Sequence, residues 1–193
     1  ADVIKVEPPT GDAARVVGWH DHYGPMFTAY NRSKRSVVLD LRSEAGRAHA
    51  LKLACSADVV LQNSRPGVME RQGLGSARLM ALAPRLIYGQ VSGFGQEGEA
   101  SGRPGFDIAA QAESGMMSLN GDADGDPTRV GFTVVDTMSG HALATGVLAA
   151  LVRRGITGRG GLVDVSLIDV AVEALVNSWA EYRLRGKMPL RCG

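Results

Sequence analysis

Asp136 is the residue whose type and position could do chemistry most directly, because it stands between an apolar run at residues 130–135 and the longest helical pattern of the chain. The run is expected to be a buried strand ending at this carboxylate. A carboxylate at the start of a helix is surrounded by backbone N–H groups that have no intrahelical partner, and the same groups can hold a developing oxyanion. Aspartate is also a favoured helix N-cap, worth about 1 kcal/mol, so structure alone accounts for the position equally well. A second candidate is Gly93-Phe-Gly95-Gln-Glu-Gly98, which matches the dinucleotide-binding glycine pattern and follows an expected strand at residues 86–91. Gly102, Pro104 and Gly105 come next, so no helix begins at the third glycine to face a pyrophosphate, and a nicotinamide site is set aside.

Metal chemistry finds little support. His20 and His22 flank Asp21, but two alternate positions in an irregular stretch with no third ligand nearby describe an exposed loop, and no metal is expected there. Asp122, Asp124 and Asp126 imitate the start of a calcium loop, yet Pro127 stands where glycine is needed and Thr133 where glutamate should be. Arg32, Lys34 and Arg35 precede a strand and are either a solvated loop or a clamp for phosphate groups. Neither a Gly-x-Ser-x-Gly elbow nor a Walker loop occurs, which removes the main support for a serine hydrolase or a P-loop NTPase.

The elements that must hold these residues follow from composition and pattern. The chain has 193 residues, 45% hydrophobic and 21% charged, the balance of a globular protein. Lys and Arg total 21 against 20 for Asp and Glu, and a net charge of +1 gives no field for a nucleic acid or a membrane surface. Cys55 and Cys192 show no metal or redox spacing, which fits a reducing cytoplasm. The longest uncharged apolar stretch, residues 142–152, is about half of the roughly 20 residues a bilayer requires, so no membrane span is expected.

Short runs rich in Val, Ile and Leu at residues 3–6, 37–41, 59–61, 86–91, 130–135 and 162–165 alternate with helical patterns, which predicts an α/β fold with an open, Rossmann-like parallel sheet flanked by helices. Ser43 is the expected cap of a helix carrying Ala45, Ala48, Leu51 and Leu53, which makes a strand-helix-strand unit with a right-handed crossover. Pro66-Gly67 opens a short helical turn, residues 76–83 form another helix stopped by Pro84, and a last helix follows Ser166. The longest helix is expected over residues 136–154, with Gly155 as its stop. Residues 93–105 and 120–127 are expected loops. Residues 1–7 begin as a strand with no lead-in and residues 190–193 end without a closing element, the pattern of the interior of a longer polypeptide.

Several segments in order carry a resemblance: Ala1-Asp-Val-Ile-Lys-Val-Glu7, Asn31-Arg-Ser-Lys-Arg-Ser36, Leu39-Asp-Leu41, Asn63-Ser-Arg-Pro-Gly67, Ser92-Gly-Phe-Gly-Gln96, Arg103-Pro-Gly-Phe-Asp107, Gln111-Ala-Glu-Ser-Gly115 and Thr157-Gly-Arg-Gly160. Together they resemble the class III CoA-transferases (formyl-CoA transferase, CaiB/BaiF), a family whose members are about twice this long. The resemblance implies that residues 1–180 are an incomplete large domain, that residues 181–193 begin the link to a smaller one, and that the full-length protein is an interlocked homodimer. It places the nucleophile at Asp136 and the CoA site at Leu39, Arg42, Asn63, Arg71, Gln72 and Phe106, with Arg42 where a relative has lysine. Coenzyme A and acyl-CoA enter as substrates with a carboxylic acid acceptor, and no permanently bound cofactor is implied.

Granted that role, the chemistry follows. A carboxylate needs no general base at neutral pH, and attack of Asp136 on a thioester expels a thiolate, giving a mixed anhydride and then an aspartyl-CoA thioester. Backbone N–H groups of the helix start and of the loop holding Gly93 and Gly95 are the expected oxyanion donors. The alternative within the family, α-methylacyl-CoA racemisation, needs two opposed acid/base groups, and Phe106 stands where racemases carry histidine. Asp107 is either an auxiliary carboxylate or the cap of a helix at residues 108–112, and His141 lies off the Asp136 face of its helix. The alternative of another class is a non-catalytic CoA-binding module.

Overall fold

Five short parallel strands carry the scaffold of the computed structural model, which describes residues 1–17 and 24–191. β1 (Ile4–Glu7) leads through a 3-10 turn and α1 (Pro25–Tyr30) to its parallel partner β2 (Arg35–Val38). Then follow α2 (Glu44–Ser56), β3 (Val59–Gln62), α3 (Val68–Arg71), α4 (Ser76–Leu82), β4 (Ile87–Ser92), α5 (Asp107–Glu113), α6 (Met116–Leu119), α7 (Val134–Thr157), β5 (Gly161–Ser166), α8 (Leu167–Ala174) and α9 (Val176–Arg185). β3, β4 and β5 form a second parallel sheet with β4 at its centre. Parallel strands flanked by helices are therefore present as expected. They form two sheets, and α2 passes from one to the other instead of joining two paired strands.

Local chemistry explains most boundaries. Ser43 caps α2, its hydroxyl accepting the Gly46 N–H at 3.0 Å. β2 is shorter than the apolar run at residues 37–41, because Leu39 and Leu41 leave the strand to pack beside Ala50, Leu79, Leu86 and Tyr88. The expected strand at residues 130–135 does not form. The Val130 N–H donates to the Gln111 side chain at 2.8 Å, so it has no need of a neighbouring strand, and α7 has begun by Val134. The apolar character of that run serves packing instead, with Val130, Val134 and Val135 against Ala110, Met116, Leu167 and Ala171. β4 separates the two clusters, since alternate side chains leave opposite faces: Tyr88 belongs to the first and Val91 packs on the second.

α7 runs a turn further than expected, through Gly155 to a stop at Gly158, whose φ of +73° is the left-handed conformation glycine tolerates. Near its end, Arg154 donates to the carbonyls of Asp58 and Arg85 and pairs with the Asp58 carboxylate at 2.9 Å. Those residues precede β3 and β4, so the C-terminus of α7 lies at the amino edge of the three-stranded sheet. A helix of 24 residues spans about 36 Å, which carries its first turn beyond the carboxyl edge, where open α/β sheets place their sites. By length and a mean hydropathy of 1.3 this helix is also apolar enough to cross a bilayer, an exception to the expectation that no stretch is. One side of it packs along β4, β5 and α8, while Leu148, Val152 and Ile156 are exposed.

Candidate active site

Asp136 is the third residue of α7 and not its cap. Thr133 occupies the cap position without a side-chain hydrogen bond. The capping comes from another element. Asp107 opens α5, is 8% exposed, and its Oδ2 accepts the N–H groups of Val135 at 2.8 Å and Asp136 at 3.0 Å, while Oδ1 accepts from the Gln111 amide. The Val134 N–H donates to the Phe132 carbonyl at 2.8 Å. The first three N–H groups of α7 are thus all spent, so the helix start is not the oxyanion site that the sequence suggested, and Asp107 caps α7, not its own helix.

The Asp136 side chain itself is exposed. The surrounding protein desolvates its carboxyl enough to push the pKa up, and the nearby Asp107 charge pushes it further. Asp107→Ala, which strands two backbone donors and leaves the Gln111 amide only its long bond to the Phe132 carbonyl, is expected to lower stability by roughly 2–3 kcal/mol in urea unfolding. Asp107→Asn keeps an acceptor oxygen and recovers part of that. Because it removes the neighbouring charge, the Asp136 titration followed by carboxyl NMR should move to lower pH.

Beside this pair runs the glycine-rich loop between β4 and α5. No helix begins at Gly98, in keeping with the rejection of a dinucleotide site. Gly93 and Gly105 touch backbone to backbone at the neck of the loop, and the Gly93 carbonyl accepts the Ile168 N–H of α8 at 3.1 Å. Arg103 stacks on the Phe94 ring, 4.6 Å from its centroid, and pairs with Glu113 of α5. Three buried side-chain atoms have no partner among the described residues: Ser92 Oγ, Gln96 Nε2 and Ser139 Oγ. Gln96 lies inside the glycine motif and Ser139 lies one turn beyond Asp136. Sequence reasoning passed over both, because a serine on an apolar helix and a glutamine between glycines carry no spacing signal.

The residues expected to hold CoA divide into groups. Leu39, Arg42 and Gln72 line one cavity of about 350 Å³ together with residues 6–10, Asp40 and Leu41. Asn63 and Arg71 are exposed and lie outside that lining; Asn63 follows β3 and Arg71 directly precedes Gln72. Phe106 is 66% exposed and stands next to Asp107. Arg42 is steadied by the Asp40 carboxylate, which accepts its Nε at 3.1 Å and its backbone N–H at 3.0 Å; these bonds hold the Asp40 pKa below its usual value.

One wall of the cavity belongs to Glu7, which no local pattern singled out. Glu7 is 2% exposed and accepts from Arg15 at 2.7 and 2.9 Å, from the Ser36 hydroxyl at 2.6 Å and from the Asp12 N–H at 3.1 Å. The Arg15 hydrogen bonds above all, against the opposing effect of burial, bring its pKa down to about 2 from 4.5. A pKa lower in the folded state means that the stabilisation is complete above about pH 4.5 and is lost as the pH falls towards 2. Glu7→Gln should cost roughly 2–3 kcal/mol at neutral pH and flatten the acid limb of a stability–pH profile measured by urea unfolding.

His20, Asp21, His22 and Cys192 lie outside the described residues. Among the described residues no cluster of three or more His, Cys, Asp or Glu could hold a metal. The loop that imitates a calcium site instead offers the Asp122 and Gly125 carbonyls to the Arg191 guanidinium. Arg35 pairs with Asp2 at 2.5 Å and Lys34 donates to Asn31, so two of the three cations before β2 already have partners. His141 is exposed on α7.

A parallel α/β scaffold with a carboxylate at its carboxyl edge, beside a glycine-rich loop, is the class of protein described so far. The chain belongs to CoA-transferase family III, whose sequence profile it matches over residues 1–193. It is 41% identical over 196 residues to an acetyl-CoA:oxalate CoA-transferase from Acetobacter aceti, covering 100% of this chain and 50% of that protein. It is 42% identical over 181 residues to a probable fatty acyl-CoA transferase from Mycobacterium tuberculosis, covering 92% of this chain and 46% of that one. The crystal structure of a CaiB/BaiF family protein from Brucella suis superposes with a TM-score of 0.94 at 36% identity, over 100% of this chain and 53% of that chain. The chain spans about half the length of the curated relatives it matches.

Proposed function

We propose that this chain carries the nucleophilic part of an acyl-CoA:carboxylate CoA-transferase, and that Asp136 is the group acylated. The observation that carries the reading is an exposed carboxylate on the first turn of α7, held through its own backbone N–H by a second, buried carboxylate. Each covalent form of Asp136 is neutral, so acylation relieves both the partial desolvation and the Asp107 repulsion that oppose its charge.

An Asp136 oxygen attacks the thioester carbonyl, the C–S bond breaks and CoA thiolate leaves, forming a mixed anhydride. The thiolate attacks the aspartyl carbonyl and releases the donor acid as its carboxylate, leaving an aspartyl-CoA thioester. The acceptor carboxylate attacks that thioester and expels CoA thiolate. The thiolate then takes the acyl group from the second anhydride, and Asp136 is free again. With the α7 donors occupied, the unpartnered Gln96 amide and the backbone of the glycine loop are the donors left for the oxyanion. The cavity lined by Leu39, Arg42 and Gln72 is assigned to the nucleotide end of CoA, and the family resemblance assigns Asn63, Arg71 and Phe106 to the rest of the molecule. Phe106 cannot transfer a proton, which favours transfer over racemisation. The family resemblance supports a cytoplasmic homodimer as the full-length working form.

The test uses the full-length protein with acetyl-CoA and succinyl-CoA as donors in the presence of hydroxylamine. A hydroxamate at Asp136, located by mass spectrometry, supports the reading. CoA binding without trapping makes the protein a passive CoA-binding module, and solvent deuterium at the α-carbon of a branched acyl-CoA makes it a racemase.

A further inference from the structure

The interior of a parallel sheet is normally filled by Val, Ile and Leu. Here one register level is polar across all three strands, from half-buried Gln62 on β3 through Gln90 on β4 to exposed Asp164 on β5. Gln90 is 4% exposed, so its amide must find partners within the protein. The chain of hydrogen bonds has one direction. The Ser64 N–H donates to Gln62 Oε1 at 2.6 Å, which turns the Gln62 NH₂ towards Gln90 Oε1 at 3.3 Å and leaves the Gln90 NH₂ facing Asp164, its register partner on β5. The backbone donor at Ser64 orients the Gln62 amide, and through it the Gln90 amide.

The two ends of this row lie at different parts of the carboxyl edge. Gln62 and Ser64 flank Asn63, and Asp164 stands two residues before Ser166, whose hydroxyl caps α8 by accepting the Asp169 N–H at 3.1 Å. α8 packs on α5 and α7, the elements of Asp107 and Asp136. We propose that Gln90 is a positioning residue of the CoA site, its amide fixing the spacing between the Asn63 turn and the Ser166-capped helix. This inference rests on the reading that Asn63 meets CoA.

Calorimetric titration of the full-length protein with CoA tests it, because misplaced strand ends change Kd whereas loss of folded protein changes only the stoichiometry. Gln90→Glu puts an acceptor where a donor faced Asp164 and is expected to raise Kd for CoA roughly tenfold at unchanged stoichiometry. Asp164→Asn alone keeps an acceptor oxygen for Gln90 and should leave Kd within about threefold. Gln90→Glu combined with Asp164→Asn restores a donor opposite an acceptor, and Kd should return to within about threefold of the parent. Wild-type affinity in Gln90→Glu, a double variant no tighter than the single one, or a large loss in Asp164→Asn alone overturns the proposal. CoA binding without hydroxylamine trapping overturns the transferase reading and leaves this one standing. Absence of CoA binding in the wild type overturns both.

Discussion

Asp136→Ala in the full-length protein is expected to abolish CoA transfer, with a loss of at least about 10³-fold in kcat and CoA affinity within a few fold. The two parts of that expectation have separate causes. Turnover is lost because no other exposed carboxylate stands on the first turn of α7 to take its place. Affinity is kept because Asp136 is not among the residues lining the cavity assigned to the nucleotide end. Folding should survive as well. Asp107 caps the backbone N–H of residue 136 whatever side chain stands there, and losing an acidic residue at a helix start, worth ~0.3–1 kcal/mol, is offset by relief from the neighbouring carboxylate. Steady-state kinetics and thermal melting measure both; surviving turnover would remove Asp136 as the nucleophile.

Gly105→Ala is expected to lower stability by roughly 3 kcal/mol or more. A Cβ at residue 105 would come within 2.2 Å of the Gly93 Cα, and both sides of that contact are backbone, so no flexible side chain can move aside. Opening the neck would pull on the Gly93 carbonyl that holds the first turn of α8 through Ile168 and would displace Gln96, so activity should fall together with stability. Gly102→Ala in the same loop is the control. No atom lies within 4 Å of its would-be Cβ, and the change should stay within about 0.5 kcal/mol in urea unfolding.

The sequence made the local elements legible and the contacts between them invisible. The runs at residues 3–6, 59–61, 86–91 and 162–165 coincide with β1, β3, β4 and β5 to within a residue or so, because β-branched stretches bounded by turn residues have few other ways to bury themselves. Ser43 and Pro84 punctuate their helices as expected for the same local reason. The run at residues 130–135 has equal β-branched character, but its backbone partner is a glutamine side chain 19 residues away, which no window could find. Asp136 was visible as a carboxylate before a long helix. Its capping partner, 29 residues earlier in the chain, reads in the sequence as an auxiliary carboxylate or the cap of its own helix, not as the cap of α7. Glu7 and the polar row through Gln90 carry no signal within a single strand, because their meaning lies in the pairing between strands.

The division of the strands into two sheets bears on what a bound nucleotide would do. No strand pairing joins β2 to β3 among the described residues, and the cavity sits at that seam. Leu39 and Arg42 approach it from the end of β2. Gln72 approaches from α3, whose following turn is pinned to β4 by the Tyr88 hydroxyl on the Leu74 carbonyl at 3.1 Å. A molecule lodged there would add a brace between two sheets already joined by the packing of Leu39 and Leu41 on Ala50, Leu79, Leu86 and Tyr88. At a hundredfold excess over Kd, mass action alone adds about 2.7 kcal/mol to folding. Such a guest would be a piece of the architecture, and the unliganded protein would then be the looser of the two forms.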